Sequence, residues 1–496
     1  MSISNSAVAR VVGIAVNFKD LRAGQILFLP QRVAIIGQGR DSVTYATTPR
    51  QISSQKEAGD TFGYGSPIHL AALQLFPVNG DGIGTIPVTA YPLVKDGAGV
   101  AATGSITPGA GPQVTTAAYQ VKISGVSSLP FTIISGTTAA SAATQIVSAI
   151  NGVLEMPVVA VDNVGVVELT AKWSGASGND ISVEVLGTES GITFTVAAMS
   201  GGLVNPDVDG ALTKITSVWE TMIINCMEPS DTTSLDKYQT WGDPRWGDDA
   251  LNPDRTQPAV VFTGEPEAAI ATAETIPTGR KDDRVNAYAT SQGSTNLPLQ
   301  IAARAVARIA VVADNNPPQD YAGKRLTGLE VGASDDYWSY PERDRAVKAG
   351  LSTVELVDDV AELSDTVTFY HPDGEPVPAY RYVVDIVKLQ QIIFNTRLIF
   401  ARDDWNGAPL IPDAQATVND TAKRPKDAKG EVAKMIDSLA LNAIISDPDF
   451  AKNSIVCGID LQNPKRLNVT FTVKLSGNTN IIAVDLNFGF YFGGTN

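Results

Sequence analysis

The sequence predicts a multidomain chain of mixed α/β and α+β class, with a small β-sandwich-like domain inserted into a layered α/β frame. Three observations lead there. Short apolar runs alternate with helical patterns in residues 23–92 and 203–330, as layered sheets require. Residues 93–202 shift to Gly, Ala, Ser and Thr, lose charge, and carry alternating segments at intervals of about ten residues. Residues 467–496 hold two rows of period-two alternation rich in aromatic and β-branched residues.

At 496 residues the chain has room for roughly three or four domains. An apolar content of 44% permits sizeable cores. The formal net charge of −16 argues against direct nucleic-acid binding, because free binders are usually basic. That charge serves either solubility or a repulsion overcome only in an ordered assembly. The two cysteines, Cys226 and Cys457, lie in apolar strand-like runs and are expected to be buried free thiols, which points to a reducing compartment during folding. The sequence has no basic-then-apolar leader and no run of about eighteen apolar residues, so neither a signal peptide nor membrane insertion is expected.

The elements follow in chain order. Residues 1–22 form an arm in which Val8, Val12, Ile14, Val16 and Phe18 are apolar at even positions and Arg10 breaks the row. It is either a strand or a disordered tail. In 23–92, residues 32–37 read as a buried strand and 66–76 as a helix, with Ser66 as N-cap and Pro67 at the first helical position. Gly37-Gln38-Gly39-Arg40 matches the opening of a dinucleotide fingerprint, but Ser42 stands where the third Gly is required and no helical pattern follows. Asn79-Gly80-Asp81-Gly82 has too few carboxylates for a calcium loop and reads as a turn.

Residues 93–202 begin with a low-complexity linker at 94–113. Strands are predicted at 119–123, 131–134, 158–161, 164–172, 181–185 and 192–197, with a helix through Ala140, Ala143, Ile146, Val147 and Ile150. The segment reads as an insertion exposed on a surface and carries no chemistry. In 203–330, helices are expected at 209–217, 265–275 and 299–312, and strands at 221–226, 259–262 and 285–289. Open α/β sheets bind ligands at strand C-termini, yet no phosphate cradle follows these strands.

Residues 331–480 carry a charged helix at 341–350, a strand at 353–357 and a long helix at 383–402. Lys423, Arg424, Lys426 and Lys429 then lead into a helix at 431–445 that bears Lys434 and an apolar stripe of Val432, Met435, Ile436, Leu439 and Ala443. The five cations form either a solvated face or a docking surface for an acidic partner. The first terminal row is Leu467, Val469, Phe471, Val473 and Leu475; after a break at 476–480 come Ile482, Val484, Leu486, Phe488, Phe490 and Phe492, in a final arm of residues 481–496. Each row reads as a long strand with one buried face. A terminal strand leaves an unpaired backbone edge that must be covered or offered to another chain.

No catalytic constellation is expected. His69 falls in a predicted helix and reads as a satisfied histidine; His371 precedes the turn Pro372-Asp373-Gly374. No G-x-S-x-G elbow or zinc spacing occurs. The acidic pairs Asp248-Asp249, Asp282-Asp283, Asp335-Asp336, Asp358-Asp359 and Asp403-Asp404 are sequence neighbours, whose side chains point apart. No enzyme, cofactor or metal is expected.

Several features occur together and in a fixed order: the N-terminal arm, residues 32–39, residues 174–181 in the Gly/Thr-rich insertion, Pro341-Glu342-Arg343 before residues 349–354, and the region from Tyr382 through the paired alternating strands. In this order the chain resembles the contractile tail sheath proteins of Mu-like bacteriophages, over nearly its whole length. The resemblance implies a conserved inner domain built from both chain ends and facing a tail tube, with inserted domains pointing outward. It implies a six-start helical homopolymer whose terminal arms add strands to neighbouring copies. Tail tube, baseplate and tail terminator proteins would be the partners, and the place the virion, with assembly in the host cytoplasm. Contraction from a metastable extended state would drive the tube through the host envelope without consuming a nucleotide. On this pattern residues 481–492 cross to a neighbour; the residues alone leave open a hairpin onto 467–475. The flexible segments 19–25 and 476–480 would let joined copies rotate, and Lys423 to Lys434 would face the tube. A non-contractile phage tail or secretion-apparatus assembly protein is the alternative, and an α/β enzyme the third reading.

Overall fold

Val33, Ala34, Ile35 and Ile36 are fully excluded from solvent, so their strand needs partners on both edges and cover on both faces. Strand Val33–Gln38 lies between Met222–Asn225 and Val88–Leu93, parallel to both. The whole sheet has six strands in the order Asn286–Thr290, Val260–Glu265, Met222–Asn225, Val33–Gln38, Val88–Leu93 and Arg50–Ile52; only the Arg50–Ile52 edge runs antiparallel to its neighbour. The structure, a computed structural model, describes residues 27–109, 115–187, 191–247, 256–375, 379–482, 484–486 and 488.

Helix Pro298–Asn315 packs on Val260–Glu265 and on helix Pro67–Leu75. Its Ala-rich face allows a close approach: a Cβ at Gly264 would collide with the backbone carbonyl of Pro298. Helix Pro67–Leu75 starts as expected, with the Ser66 hydroxyl accepting from the His69 N–H at 3.4 Å.

The insertion contains two four-stranded sheets and the helix Ala139–Asn151. One sheet runs Phe194–Ser200, Ala101–Pro108, Val166–Ser174, Val158–Asn163; the other centres on Ala117–Ile123. The helix packs on both. The expected linker at 94–113 is therefore corrected, because Ala101–Pro108 is an inner strand paired on both edges. Its small side chains hide the period: only Ala102, Ile106 and Pro108 are buried.

Three further expectations change. The helix at 209–217 is a single turn, Asp209–Leu212. The one expected at 265–275 starts later, because strand Val260–Glu265 takes up Glu265 and irregular residues 266–269 follow before the short helices Ile270–Ala273 and Thr275–Thr278. The strand Thr353–Val357 has an unforeseen partner, Val360–Asp365, joined through Asp358 and Asp359, both with positive φ (50° and 57°). Two left-handed residues in a two-residue loop match the right-handed twist of the flanking strands.

The described residues fall into two compact units: Leu29–Gln390, and Leu27–Phe28 together with the residues from Gln391 onward. In the second, the Asn395 side chain accepts from Leu27 N–H (3.2 Å) and donates to Leu27 C=O (3.0 Å), so one amide satisfies both backbone groups. Helix Pro425–Leu441 begins six residues before the expected 431, at a proline in the first helical position.

The Gly264–Pro298 contact yields a stability prediction. Gly264→Ala is expected to cost about 3 kcal/mol, since backbone rather than a movable side chain blocks the added methyl. A fall in the denaturation midpoint at constant slope would show it; an unchanged midpoint would mean the helix lifts off the strand freely.

Candidate assembly surfaces of the C-terminal unit

The second unit is built on helix Pro425–Leu441. Ala428, Val432, Met435, Ile436 and Leu439 are its buried stripe, and they pack towards helix Pro448–Asn453 and strand Val456–Ile459. The shorter helix is capped by Asp447, which sits at φ 54° and accepts from Phe450 N–H at 3.2 Å. Asp447 also accepts from Lys474 Nζ at 2.7 Å, and that ammonium lies 4.1 Å from the Phe450 ring centroid. The Lys474 hydrogen bond and the cap hold the Asp447 carboxyl below the usual range.

The first terminal row does not form one long strand. Leu467–Thr470 pairs antiparallel with Val456–Ile459, and Lys474–Leu475 pairs separately with Ile445–Ser446. Between them Ser454 intervenes. Its hydroxyl accepts from Thr472 N–H at 2.8 Å, taking a donor that a continuous ladder would use, while its one proton is shared between Ala451 C=O (2.7 Å) and Thr472 C=O (3.2 Å). The alternation survives: Leu467, Val469, Phe471, Val473 and Leu475 are half-buried, while Asn468, Thr470, Thr472 and Lys474 are exposed. The expected buried face is thus only half covered. Cys457, on the paired strand, is likewise half-buried rather than buried; Cys226 is buried as expected. Two-stranded ladders are marginal alone, and each leaves an open edge.

The second row departs further from expectation. Residues 481–482, 484–486 and 488 are not strand and pair with nothing among the described residues. Ile481, Ile482, Val484, Leu486 and Phe488 are between 76% and 84% exposed. Phe490 and Phe492, like Val8, Val12, Ile14, Val16 and Phe18, lie outside the described residues, as does the Asp248-Asp249 pair.

Lys423, Arg424, Lys426 and Lys434 line one depression that Lys429 does not join, and they are unequal members. Lys423 is half-buried, ion-paired to Asp404 at 2.7 Å and stacked 5.0 Å from the Trp405 ring centroid. Arg424 donates to Gln415 C=O at 3.3 Å. Lys434 pairs with Glu431 at 3.0 Å. Lys426 and Lys429 are exposed and have no ion-pair partner among the described residues. Trp405, Asp427 and Glu431 share a depression with Lys423, Arg424, Lys426 and Lys434, so the face is mixed in charge.

In the first unit, the C-terminal edge of the parallel sheet is covered by the insertion. Ser174 Oγ meets Asp41 at 2.5 Å, Ser182 Oγ donates to Thr295 C=O at 2.6 Å, and Lys122 pairs with Glu330 at 2.5 Å. Lys172, itself buried, donates to both Tyr64 C=O (3.2 Å) and Leu154 C=O (2.9 Å). Asn205 Nδ2 spans Glu228 and Asp231 at 2.8–2.9 Å. These bonds occupy the crevice where open α/β sheets usually bind ligands. His69 is buried and accepts from Gly65 N–H at 3.1 Å. His371 faces Phe369 C=O at 2.5 Å while Asp373 pairs with Lys281 at 2.7 Å, so the two do not form an acid/base couple. Among the described residues no group of His, Cys, Asp and Glu could hold a metal ion.

No family model matches the chain. It is 24% identical over 452 residues to the Mu-like prophage FluMu tail sheath protein of Haemophilus influenzae, a match covering 88% of each chain. By sequence the chain is similar to a tail sheath protein over nearly the whole length of both. Among solved structures, the chain is similar to a sheath tail protein of Listeria innocua (TM-score 0.48, 13% identity, 92% of this chain and 94% of that one). It is also similar to the anti-feeding prophage helical sheath in its contracted state (TM-score 0.46, 10% identity, 97% and 99%).

His69 gives a pH prediction. Burial first, and then the Lys172 charge, push its pKa down from 6.5 to about 4, so the folded chain holds it neutral. The unfolded chain takes up the proton at the higher pH. Its stability contribution is therefore full above about pH 6.5 and is lost as pH falls towards 4, by up to about 3 kcal/mol. His69→Gln, which keeps an acceptor for Gly65, should flatten that part of the stability–pH curve. An equally steep curve in the variant would assign the acid sensitivity elsewhere.

Proposed function

We propose that the chain is a structural subunit of a contractile phage tail sheath. It polymerises around a tail tube by adding strands between subunits, and contracts by rigid-body rearrangement to drive the tube through the host envelope. One observation carries the reading: an exposed, alternating apolar segment at 481–488 in the same unit as two-stranded ladders with open edges. Strand addition joins these needs, since main-chain bonds close the edge and alternate pockets take the apolar side chains. The match to a tail sheath protein across 88% of both chains supports it. Its partners are copies of itself, the tail tube protein, and the baseplate and tail terminator proteins. The subunit works in the virion and assembles in the host cytoplasm.

In this account residues 1–22 and 481–496 are the donated arms and 467–475 the acceptor. Contraction is then a change between two packings of bodies that stay linked through their arms. Lys426 and Lys429 are the tube-facing cations, making salt-sensitive contacts that hold the extended state yet release on triggering.

Two experiments test the reading. Purified full-length protein should form sleeves or rings in negative-stain micrographs, and a chain lacking residues 1–20 should remain monomeric. Polymers from the truncated chain as abundant as from the intact one would remove the arm. Charge reversal at Lys426 and Lys429 should weaken co-assembly with the tube and leave self-assembly intact; undiminished tube binding would remove that contact face.

A further inference from the structure

The sequence contains three Asn-Gly steps: Asn79-Gly80, Asn151-Gly152 and Asn406-Gly407. Such a step can close on itself when the glycine N–H is free to reach the preceding side chain and no Cβ blocks the approach. The fold places the three in different surroundings. Asn151 ends a helix with its side chain fixed at both ends: Nδ2 donates to Ala160 C=O at 2.7 Å and Oδ1 accepts from Ala160 N–H at 3.0 Å. The Gly152 N–H is itself bonded to Ser148 C=O at 3.0 Å, and Leu129 crowds the glycine, 2.7 Å from where a Cβ would lie.

Asn79 and Asn406 are the opposite. Both are exposed turn or bend residues, and neither side chain has a hydrogen-bond partner among the described residues. Gly80 and Gly407 have positive φ (99° and 72°) with nothing within 4 Å of a Cβ position. Neither glycine N–H donates a backbone hydrogen bond among the described residues.

We infer that Asn79 and Asn406 are sites of spontaneous deamidation in the folded chain and that Asn151 is protected. The glycine nitrogen attacks the asparagine Cγ; the new C–N bond forms, the Cγ–NH2 bond breaks, and ammonia leaves with the glycine N–H proton. Water then opens the succinimide at either carbonyl, giving aspartate or isoaspartate. At Asn406 the product puts a carboxylate one turn from Arg402 and two residues from Asp404, whose partners are Arg402 and Lys423. It thus competes for the cations that now neutralise Asp404, and it adds negative charge beside the cationic face.

The test is peptide mapping by mass spectrometry of the full chain, kept folded at mildly alkaline pH, with a parallel sample in denaturant. Conversion at Asn79 and Asn406 is expected, with Asn151 roughly thirtyfold slower, the factor that two net side-chain hydrogen bonds provide. In denaturant all three should convert at comparable rates. Asn406→Gln should remove the product at that site alone. Folded-state conversion of Asn151 as fast as that of Asn406, or of Asn406 as slow as that of Asn151, overturns the inference.

Discussion

A peptide group removed from water must find a hydrogen-bond partner, and in the C-terminal unit that demand is met only in part. Val456–Ile459 with Leu467–Thr470, and Ile445–Ser446 with Lys474–Leu475, are ladders of two strands. Each saturates one edge and leaves the other facing out. The apolar row beside them is half-buried, and the next apolar row is bare. Burying the five exposed side chains from Ile481 to Phe488 would stabilise an assembly by about 10 kcal/mol gross. Holding the six described residues of that segment in one backbone conformation costs roughly 6–12 kcal/mol. The two nearly cancel, so one donated arm is a weak link.

The other unit solves its backbone problem internally. Its central strands are flanked on both edges and covered on both faces, and the insertion closes the C-terminal edge of the sheet with side chain to backbone bonds from Lys172 and Ser182 and a serine–carboxylate bond at Asp41. In an α/β enzyme that edge would stay open to a ligand. Here it holds a structural seam, including Asn205 bridging two carboxylates.

Charge is organised locally despite a net −16. Many of the cations sit beside carboxylates: Lys423 with Asp404, Lys474 with Asp447, Lys434 with Glu431. Exposed pairs of this kind contribute little stability each. Their effect is positional, as where Lys474 ties its strand to the cap and ring of the adjoining helix. Lys426 and Lys429 stand apart from this pattern, exposed on the same helix.

Much of the fold was legible in residues 29–390, because a strand buried on both faces must be apolar throughout and a capped helix must announce its start. Val33–Gln38, Met222–Asn225 and Pro67–Leu75 obey those local rules. Ala101–Pro108 does not: small side chains carry no period, and only its two neighbours make it a strand. The His69 environment and the hairpin through Asp358-Asp359 likewise depend on where the chain returns in space. The C-terminal rows show the division most clearly. Sequence alone determined their alternation, since period two belongs to the extended backbone itself. Tertiary structure decided that Ser454 would interrupt the first row and that Ile482, Val484, Leu486 and Phe488 of the second would be exposed, because pairing and burial are set by what else the fold brings alongside.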